Sequence, residues 1–430
     1  MTNINELKKL LGEGKLAKTF EKELGCDNAK LAAERAINVL DGFCEKFSGV
    51  SCTLFSSPGR TELGGNHTDH QHGHILAASV NADMLCAASV TDSREINIES
   101  EGFGRIVVDL NEIKPVEEEI GTAAALVRGM AAWFLERGCD ISGVNAYITS
   151  NVPAGSGLSS SAAFEMLWGV IFNRFFAENR FSKLELAKAG LFAENTYFGK
   201  PCGLMDQTAC VWGGVIAVDF KDFEKPDIGQ LAYDFAEKAY DLCIISTGGS
   251  HDDLTEDYAA ITREMRQVAN IFDCDYLSEL TCESVLNNAG EIRKLCGDRA
   301  FLRAVNYFGE DKRAMLMKNA LDRDDIDEYL KLVNASGRAS WMYLQNVSPC
   351  GSVQNQNVAV ALQAADISLA GSGAFRVHGG GFAGTIQAYV PKEKLEKFIS
   401  DMERVLYKDC CRVLKVRKTG AMAIELNEVY

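Results

Sequence analysis

A glycine- and serine-rich segment carries the residue types that bind phosphate. It reads Gly155-Ser-Gly-Leu-Ser-Ser-Ser161 and lies between a strand predicted at 143–149 and an apolar helix predicted to continue to Phe176. Glycines allow the backbone to approach an anion closely, and a helix start offers free N–H groups and the positive end of a dipole. The segment matches neither a Walker A loop nor a dinucleotide fingerprint. Phosphate binding is the prediction, and a structural turn with serine N-caps is the alternative.

Residues 58–74 hold four of the six histidines of the chain, together with Asp69 and Arg60. Histidine and aspartate are metal ligands, but their spacing here matches no closed zinc pattern. A strand would point His70, His72 and His74 to one face without a fourth partner. A turn rich in Asp, Asn and His donors and acceptors is typical of polyol recognition, with Arg60 supplying positive charge nearby.

A third segment, Glu194 to Gln207, places Asp206 in the apolar setting of Leu204 and Met205. A carboxylate in a pocket accepts a proton or orients a hydroxyl. Asp206 as the N-cap of a helix beginning near Gln207 is an equal alternative. Glu194 lies on the preceding predicted helix.

The fourth segment, 371–384, contains six glycines in fourteen residues. This density indicates a close backbone approach, either to a ligand or to another domain. His378 is the polar side chain of the segment, and a lone histidine is more often a structural residue than a ligand.

The elements that position these segments are mixed without regular βαβ alternation, which favours an α+β fold. Helical spacing covers residues 1–48. Short strands are predicted at 51–56, 75–80, 85–90, 96–99 and 105–110, and a helix at 122–136. Further strands are predicted at 215–220, 242–246, 385–390 and 412–416, with a helix at 392–406. Residues 254–362 are mostly helical, and the charged run 322–328 is expected on solvated helix faces and turns.

Length and charge exclude several classes of function. The 430 residues exceed one ordinary hydrophobic core, so two domains are expected, at 1–230 and 231–430. Sixty acidic and 44 basic side chains give a charge of −16, which argues against nucleic-acid binding by general charge attraction. No apolar run approaches the ~20 residues of a membrane span, and residues 1–11 lack a signal-peptide core. Fourteen scattered cysteines without CxxC spacing predict free buried thiols and a cytoplasmic location.

In this order, the four segments resemble the GHMP small-molecule kinases, and within them the galactokinases. Gly59 to His70 is similar to the galactokinase signature Gly-Arg-x-Asn-Leu-Ile-Gly-Glu-His-Thr-Asp-Tyr, and residues 152–163 are similar to the family's phosphate loop at nearly every position. Residues 193–207 resemble the segment with the catalytic Asp, and residues 379–384 resemble the third GHMP motif. His251, Tyr258 and Arg263 look like the stretch that reaches the sugar from the second half of the chain.

The resemblance implies an ATP- and magnesium-dependent kinase that phosphorylates the anomeric hydroxyl of a sugar, galactose first. The implied fold has an N-terminal ribosomal-protein-S5-like domain and a C-terminal ferredoxin-like domain, with the active site between them. Asp206 matches the catalytic Asp and Arg60 the Arg beside it. Ser161 and Glu194 match the magnesium ligands. The implied phosphate contacts are Pro153, Gly155, Ser156, Gly157, Leu158, Ser159, Ser160 and Ser161. The implied sugar contacts are Glu62, Asn66, His67, Asp69, Gly203 and Tyr258.

Four departures fall inside the sugar signature. The family's Asn, Ile, Glu and Tyr are replaced by Glu62, Gly64, Asn66 and His70. In the family, the Glu contacts the sugar around its C6 hydroxyl. An amide at that position supplies donors and removes a charge. Because Glu62 and Asn66 exchange types four residues apart, they are predicted to be a compensated pair in one pocket.

These departures leave the substrate open among galacto-configured sugars. Galacturonate, galactosamine and N-acetylgalactosamine are the alternatives to galactose. A non-catalytic sugar sensor on the same fold is disfavoured, because the phosphate loop, Asp206 and Glu194 are all present. The adenine pocket is expected at residues 91–101, and a monomer or weak homodimer is expected.

Overall fold

Two long antiparallel strands, β2 (Ser51–Gly64) and β3 (His74–Thr91), form the centre of the larger sheet. Successive side chains of a strand point to opposite faces. Leu54 packs among the N-terminal helices, whereas its neighbour Phe55 packs into the main core on the other face. The sheet is therefore covered on both sides, and β2 delivers the sugar signature at its end. The computed structural model describes residues 1–153, 155–200, 202–249 and 254–425.

The two strands predicted at 75–80 and 85–90 form one continuous strand, so the predicted break is wrong. The reason is the burial of Asp83, which lies between them. Its carboxylate accepts from Arg35 at 2.5 Å and lies 3.2 Å from the fully buried guanidinium of Arg417. A polar residue that suggests a turn is thus paired inside the sheet.

Nine of the strands in the described ranges form the larger sheet, in the order β1-β2-β3-β6-β4-β5, with β13 beside β2 and β7 and β8 continuing from β3. Four strands form the smaller sheet, in the order β10-β11-β9-β12, and all of its pairings are antiparallel. The remaining strand bounds are β1 (Thr2–Asn3), β4 (Glu95–Ser100), β5 (Gly104–Asp109), β6 (Gly143–Ser150), β7 (Val215–Asp219), β8 (Asp227–Leu231), β9 (Tyr240–Ser246), β10 (Ala374–Val377), β11 (Thr385–Pro391), β12 (Cys411–Leu414) and β13 (Met422–Ile424).

Helices cover both sheets. The N-terminal pair α1 and α2 packs on the outer face of β2, β3 and β6, whereas α3 and α4 fill the main core on the opposite face. Two further helices, α12 and α13, cover one face of the smaller sheet. The bounds are α1 (Ile4–Gly12), α2 (Ala29–Phe47), α3 (Ala123–Glu136), α4 (Ser160–Phe176), α5 (Lys183–Phe192), α6 (Met205–Trp212), α7 (Thr255–Asn270), α8 (Cys282–Asn287), α9 (Ala289–Cys296), α10 (Asp298–Asp322), α11 (Ile326–Ala339), α12 (Asn357–Leu369) and α13 (Leu395–Val405).

The predicted α+β class is confirmed. The chain passes from the larger to the smaller sheet between β8 and β9, whereas β13 returns to the larger sheet. The boundary at 230/231 stays a prediction. The charged run at 322–328 lies where α10 ends and α11 begins, as predicted. The fourteen cysteines are free, as predicted, but only six of them are buried, whereas seven are half-buried and Cys350 is exposed. No helix in the described ranges is both long and apolar enough to cross a bilayer.

Candidate active site

The predicted phosphate loop joins β6 to α4. Gly155 and Gly157 have φ angles of 69° and 70°, and Ser159 has a φ of 54°, so the chain turns repeatedly through the left-handed region. The first helical hydrogen bond runs from Ala163 N to Ser159 O, which leaves the preceding amides of the first turn without an intrahelical acceptor. Ser159 occupies the N-cap position, but its side chain makes no capping bond. The loop is therefore not a turn closed by serine caps.

Asp206 lies in the first turn of α6, whose N-cap residue is Leu204, so the N-cap alternative for Asp206 is wrong. The carboxylate is held by a two-point contact with Arg60, at 2.6 Å from Nε and 2.7 Å from Nη2. Ser159 Oγ also donates to it. Burial alone raises the pKa of Asp206, but the Arg60 guanidinium and the Ser159 hydroxyl outweigh it and hold the pKa below its ordinary value.

Arg60 joins the signature strand to the phosphate loop. Its Nη1 donates to Gly157 O, and its backbone N–H donates to Leu158 O at 3.0 Å. A Cβ at position 59 would lie 2.7 Å from Leu158 O, so this close approach of the strand to the loop requires glycine. One guanidinium thus contacts both the loop backbone and the Asp206 carboxylate.

Glu194 and Ser161, the predicted magnesium ligands, are in contact. Glu194 is the second residue of a π-helical turn (Ala193–Phe198) that follows α5, and its Oε1 lies 3.3 Å from Ser161 Oγ. Lys200 Nζ lies 3.6 Å from the same oxygen. A carboxylate and a hydroxyl beside a phosphate-binding loop are the oxygen donors that magnesium prefers, so these residues fit the ion.

Two buried residues beside Glu194 escaped the sequence reasoning. Glu165 and Gln207 are fully buried, and Gln207 Nε2 donates to Glu165 Oε2 and to Glu194 Oε2, both at 2.9 Å. Burial and the neighbouring Glu194 charge raise the pKa of Glu165 well above its ordinary value. Glu165 follows Ser161 by four residues on the same helix, so the i, i+4 spacing was the signal that could have found it.

The predicted sugar contacts adjoin the segment before α6 and the glycine-rich fourth segment. A Cβ on Gly203 would overlap the carboxylate of Asp69, so these two residues adjoin. His67 Nε2 lies 3.0 Å from Gly380 O, and Tyr258 Oη donates to Gly381 O at 2.8 Å. The glycines of the fourth segment therefore allow close approach to the signature and to α7.

His67 is held in one tautomer. Because a carbonyl only accepts, Nε2 of His67 carries the proton donated to Gly380 O, and Nδ1 accepts from His70 Nε2 at 3.1 Å. Burial and the adjacent His70 lower the pKa of His67 to about 3, so the ring is neutral. His70, at the position of the family's Tyr, thus orients a predicted sugar contact and also lies 3.2 Å from Asp69 Oδ1.

Glu62 and Asn66 contact each other, as the compensated-pair prediction requires. Asn66 Nδ2 lies 3.0 and 3.2 Å from the two oxygens of Glu62 and donates to Gly379 O at 2.7 Å. Asn346 Nδ2 donates to Asn66 Oδ1 at 2.9 Å. Glu62 pairs with the fully buried Arg376 of β10. The sequence offered no signal for Arg376 or Asn346 as partners.

His378 is a structural residue, as its isolation suggested. Its Nε2 lies 2.9 Å from Thr61 Oγ1 and its Nδ1 lies 3.1 Å from Thr385 Oγ1. Burial, with the Arg60 and Arg376 charges, lowers its pKa well below the ordinary value. The neutral ring ties the signature strand to the smaller sheet.

The histidines of the signature do not share a strand face, because a 3-10 turn occupies Asp69–Gln71. His72 stacks on Tyr276, and His74 pairs with Asp311 and Asp219. Within the described ranges, no three His, Cys, Asp or Glu side chains form a metal-holding group. His251 lies outside the described residues, and Arg263 forms an exposed pair with Glu256.

Two family models match the chain. The "Galactokinase galactose-binding signature" matches residues 41–90, and the "GHMP kinases N terminal domain" matches residues 125–214. These ranges contain the sugar signature, the phosphate loop, Glu194 and Asp206. The two matched ranges therefore cover the sugar signature and the phosphate-loop part of the site.

Relatives and solved structures agree with these matches. Galactokinases of Lactobacillus helveticus and Enterococcus faecalis are each 28% identical, over 83% and 84% of this chain and 90% and 91% of their own length. The structure of Lactococcus lactis galactokinase complexed with galactose matches with a TM-score of 0.77 at 24% identity, over 89% of this chain and 98% of that one. Methanococcus jannaschii mevalonate kinase matches with a TM-score of 0.60 at 16% identity, over 86% and 99%. The chain therefore carries matches to the GHMP kinase N-terminal domain and to the galactokinase galactose-binding signature, and it is similar to galactokinases over more than four fifths of its length.

Proposed function

We propose that the protein transfers the γ-phosphoryl group of ATP to the anomeric C1 hydroxyl of galactose, giving galactose 1-phosphate and ADP. The contact of Asp206 with both Arg60 and Ser159 carries the proposal. It joins the residue that matches the catalytic Asp to the sugar signature on one side and to the phosphate loop on the other. A carboxylate at this junction is within reach of both a sugar hydroxyl and a phosphate.

Phosphoryl transfer needs positioning and charge neutralisation more than covalent help, because its transition state is loose. Gly155 to Ser161 would hold the β- and γ-phosphates with the amides of the loop and of the first turn of α4. Ser161 and Glu194 would hold Mg²⁺, which when bound neutralises charge on the phosphates and orients them. Lys200, close to Glu194, adds a positive charge at this end of the site.

Asp206 would accept the proton of the C1 hydroxyl or orient that hydroxyl. The C1 oxygen forms a bond to the γ-phosphorus as the bond from that phosphorus to the β–γ bridging oxygen breaks, and ADP leaves with the bond's electron pair. Arg60 keeps Asp206 ionised, because its guanidinium favours the charged form. It also stabilises negative charge that develops on the C1 oxygen.

The hydrogen bonds of Asn66 favour galactose over galacturonate. Both N–H groups of its amide are directed at protein acceptors, namely Glu62 and Gly379 O, and its oxygen retains a second lone pair beside the bond from Asn346. Asn66 can therefore accept from a C6 hydroxyl but has no donor left for a C6 carboxylate.

An assay of ADP release tests this proposal over galactose, galactosamine, N-acetylgalactosamine, galacturonate, glucose and arabinose. Galactose is expected to give the highest kcat/KM, and galacturonate is expected to be inactive or nearly so. A clear preference for galacturonate would contradict the assignment of the substrate. ADP release with none of these sugars would favour a sugar sensor on the same fold.

We further propose a cytoplasmic enzyme that acts as a monomer or weak homodimer. ATP use and fourteen free cysteines are consistent with a reducing compartment. The adenine pocket stays assigned to residues 91–101, which run from the last residue of β3 through the whole of β4. Labelling with a photoreactive adenine nucleotide, followed by peptide mapping, tests that assignment.

A further inference from the structure

The two oxygens of Glu194 have separate partners. Oε1 lies towards Ser161, whereas Oε2 accepts from Gln207 Nε2 at 2.9 Å and from Cys202 Sγ at 3.1 Å. Only 2% of Glu194 is exposed, so its carboxylate is desolvated and its orientation depends on these contacts. A donor that holds Oε2 leaves Oε1 directed at Ser161.

Gln207 is itself oriented by Glu165. Its Nε2 donates to two carboxylate oxygens and also lies 3.7 Å from Cys202 Sγ, which fixes which end of the carboxamide carries the N–H groups. Neither Glu165 Oε1 nor Gln207 Oε1 has a hydrogen-bond partner in the described part of the chain. The single contact from Glu165 Oε2 is therefore the side-chain bond that anchors the far side of this amide.

The surrounding backbone is shaped for this pair. A Cβ on Gly190 of α5 would lie 2.8 Å from Glu165 Oε2 and 2.9 Å from Gln207 Cγ. Glycine at an interior helix position destabilises the helix relative to alanine, so its presence here needs a packing reason. Gly190 thus provides the space in which a buried acid and a buried amide meet.

We propose that Glu165 and Gln207 are positioning residues that hold Glu194 in the orientation for magnesium, with Glu165 acting through its hydrogen-bond acceptor and not through a negative charge. This inference rests on the proposed function, since it takes Glu194 as a magnesium ligand. The raised pKa of Glu165 supports a neutral side chain. Gln207 is also the neighbour of Asp206 on α6, so the same helix turn positions Asp206 directly and Glu194 through Gln207.

The test compares Glu165→Gln, Glu165→Ala and Gln207→Met with the parent. Calorimetry measures the Kd of adenylyl imidodiphosphate with and without Mg²⁺. The ratio of the metal-free Kd to the Kd in Mg²⁺ reports how much the metal contributes to binding, without turnover. Glu165→Gln keeps an acceptor oxygen for Gln207, so its ratio should equal that of the parent. Glu165→Ala and Gln207→Met should lower the ratio by about 10- to 100-fold, with the metal-free Kd unchanged.

A matched control removes a different buried acid. Glu310 of α10 is 1% exposed and accepts from Ser336 Oγ at 2.6 Å. Glu310→Ala should reduce stability in thermal melts while leaving the ratio at the parent value. Melting curves of all four variants identify any that do not fold, and the remaining variants still decide the outcome, because Glu165→Gln differs in its prediction from the other two.

Two results would overturn the inference. A ratio in Glu165→Gln as low as in Glu165→Ala would show that Glu165 acts by its charge. An unchanged ratio in Gln207→Met would show that the amide does not position Glu194. Sugar phosphorylation by the parent is measured beside these titrations. If the parent phosphorylates galactose and a variant gives either result, this inference is refuted and the proposed function is not.

Discussion

Exchanging Glu62 and Asn66 back to the types that the family carries tests whether they form one coupled pair. The variants are Glu62→Asn, Asn66→Glu and the double exchange. In the protein, one carboxylate faces Arg376 and one amide bridges Glu62 to Gly379 O. Each single exchange leaves this pocket with the wrong number of charges, whereas the double exchange keeps one carboxylate and one amide.

The expected magnitudes follow from burial. Glu62→Asn leaves the fully buried Arg376 guanidinium without its carboxylate, which costs about 3–5 kcal/mol. Asn66→Glu removes the donor to Gly379 O and places a second carboxylate about 3 Å from the first, for a similar cost of about 3–5 kcal/mol. The double variant should lose about 1–3 kcal/mol less than the sum of the two single losses, which is the coupling expected of residues in one network.

Urea unfolding at constant pH measures these free energies of unfolding. The ratio of kcat/KM for galactose to kcat/KM for galacturonate measures how the pocket selects between the two sugars. Phe375, half-buried beside Arg376 on the same strand, provides a control through Phe375→Leu, which should add independently to Glu62→Asn. In the double variant the carboxylate at position 66 should further increase the preference for galactose.

Additivity of the two single losses within about 0.5 kcal/mol would refute the reasoning, because it would mean that the two side chains act independently. A double variant with an unchanged ratio of the two kcat/KM values would remove the argument that position 66 selects at C6. The stability and specificity parts of the prediction can therefore fail separately.

Three further predictions concern Arg60, Asp206 and the proposed magnesium ligands. Arg60→Lys keeps a charge but loses the two-point contact with Asp206, so kcat should fall by about 100-fold in the steady-state assay, and retention of the parent rate would contradict this role. The pKa of Asp206 lies below its ordinary value in the parent, so kcat/KM should decline only as the pH falls through that lowered pKa. In Arg60→Met the carboxylate stays buried but loses the guanidinium, so the acid limb of the pH profile should move to higher pH. An acid limb that does not move would exclude Asp206 as its origin. Chelation of divalent cations with EDTA should abolish ADP release and excess Mg²⁺ should restore it, so full activity in EDTA would contradict the assignment of Ser161 and Glu194.

The sequence predicted the larger elements because their patterns are local. Alternating hydrophobic residues revealed the central strands, and helical spacing revealed α2, α3 and α4. The short strands β1, β8 and β13 escaped because two to five residues carry too little periodicity to be recognised. The false break in β3 had a different cause: the partner that buries Asp83, Arg417, lies 334 residues away in sequence.

The candidate site likewise has parts that local sequence patterns predict and parts that depend on distant partners. The phosphate loop, Asp206 and Glu194 lie in compact segments, and the structure brings them into contact through Arg60 and Ser161. The pairing of Glu62 with Asn66 was predicted, but its pairing with Arg376 could not be, because Arg376 is 314 residues away and no spacing rule connects them. Glu165 was accessible in principle from its helical spacing to Ser161, but an isolated Glu in an apolar helix gives no sign of its partner.

Asp206, held by Arg60 and Ser159, is proposed to act on the C1 hydroxyl of galactose during transfer from ATP. The most direct measurement is a single-turnover reaction of parent and Asp206→Asn with labelled ATP and galactose, in which the product is identified by NMR. The parent should form galactose 1-phosphate, and Asp206→Asn should be about 100- to 10,000-fold slower while still binding the sugar. Phosphate on a hydroxyl other than C1, or an Asp206→Asn variant that matches the parent rate, would contradict the claim.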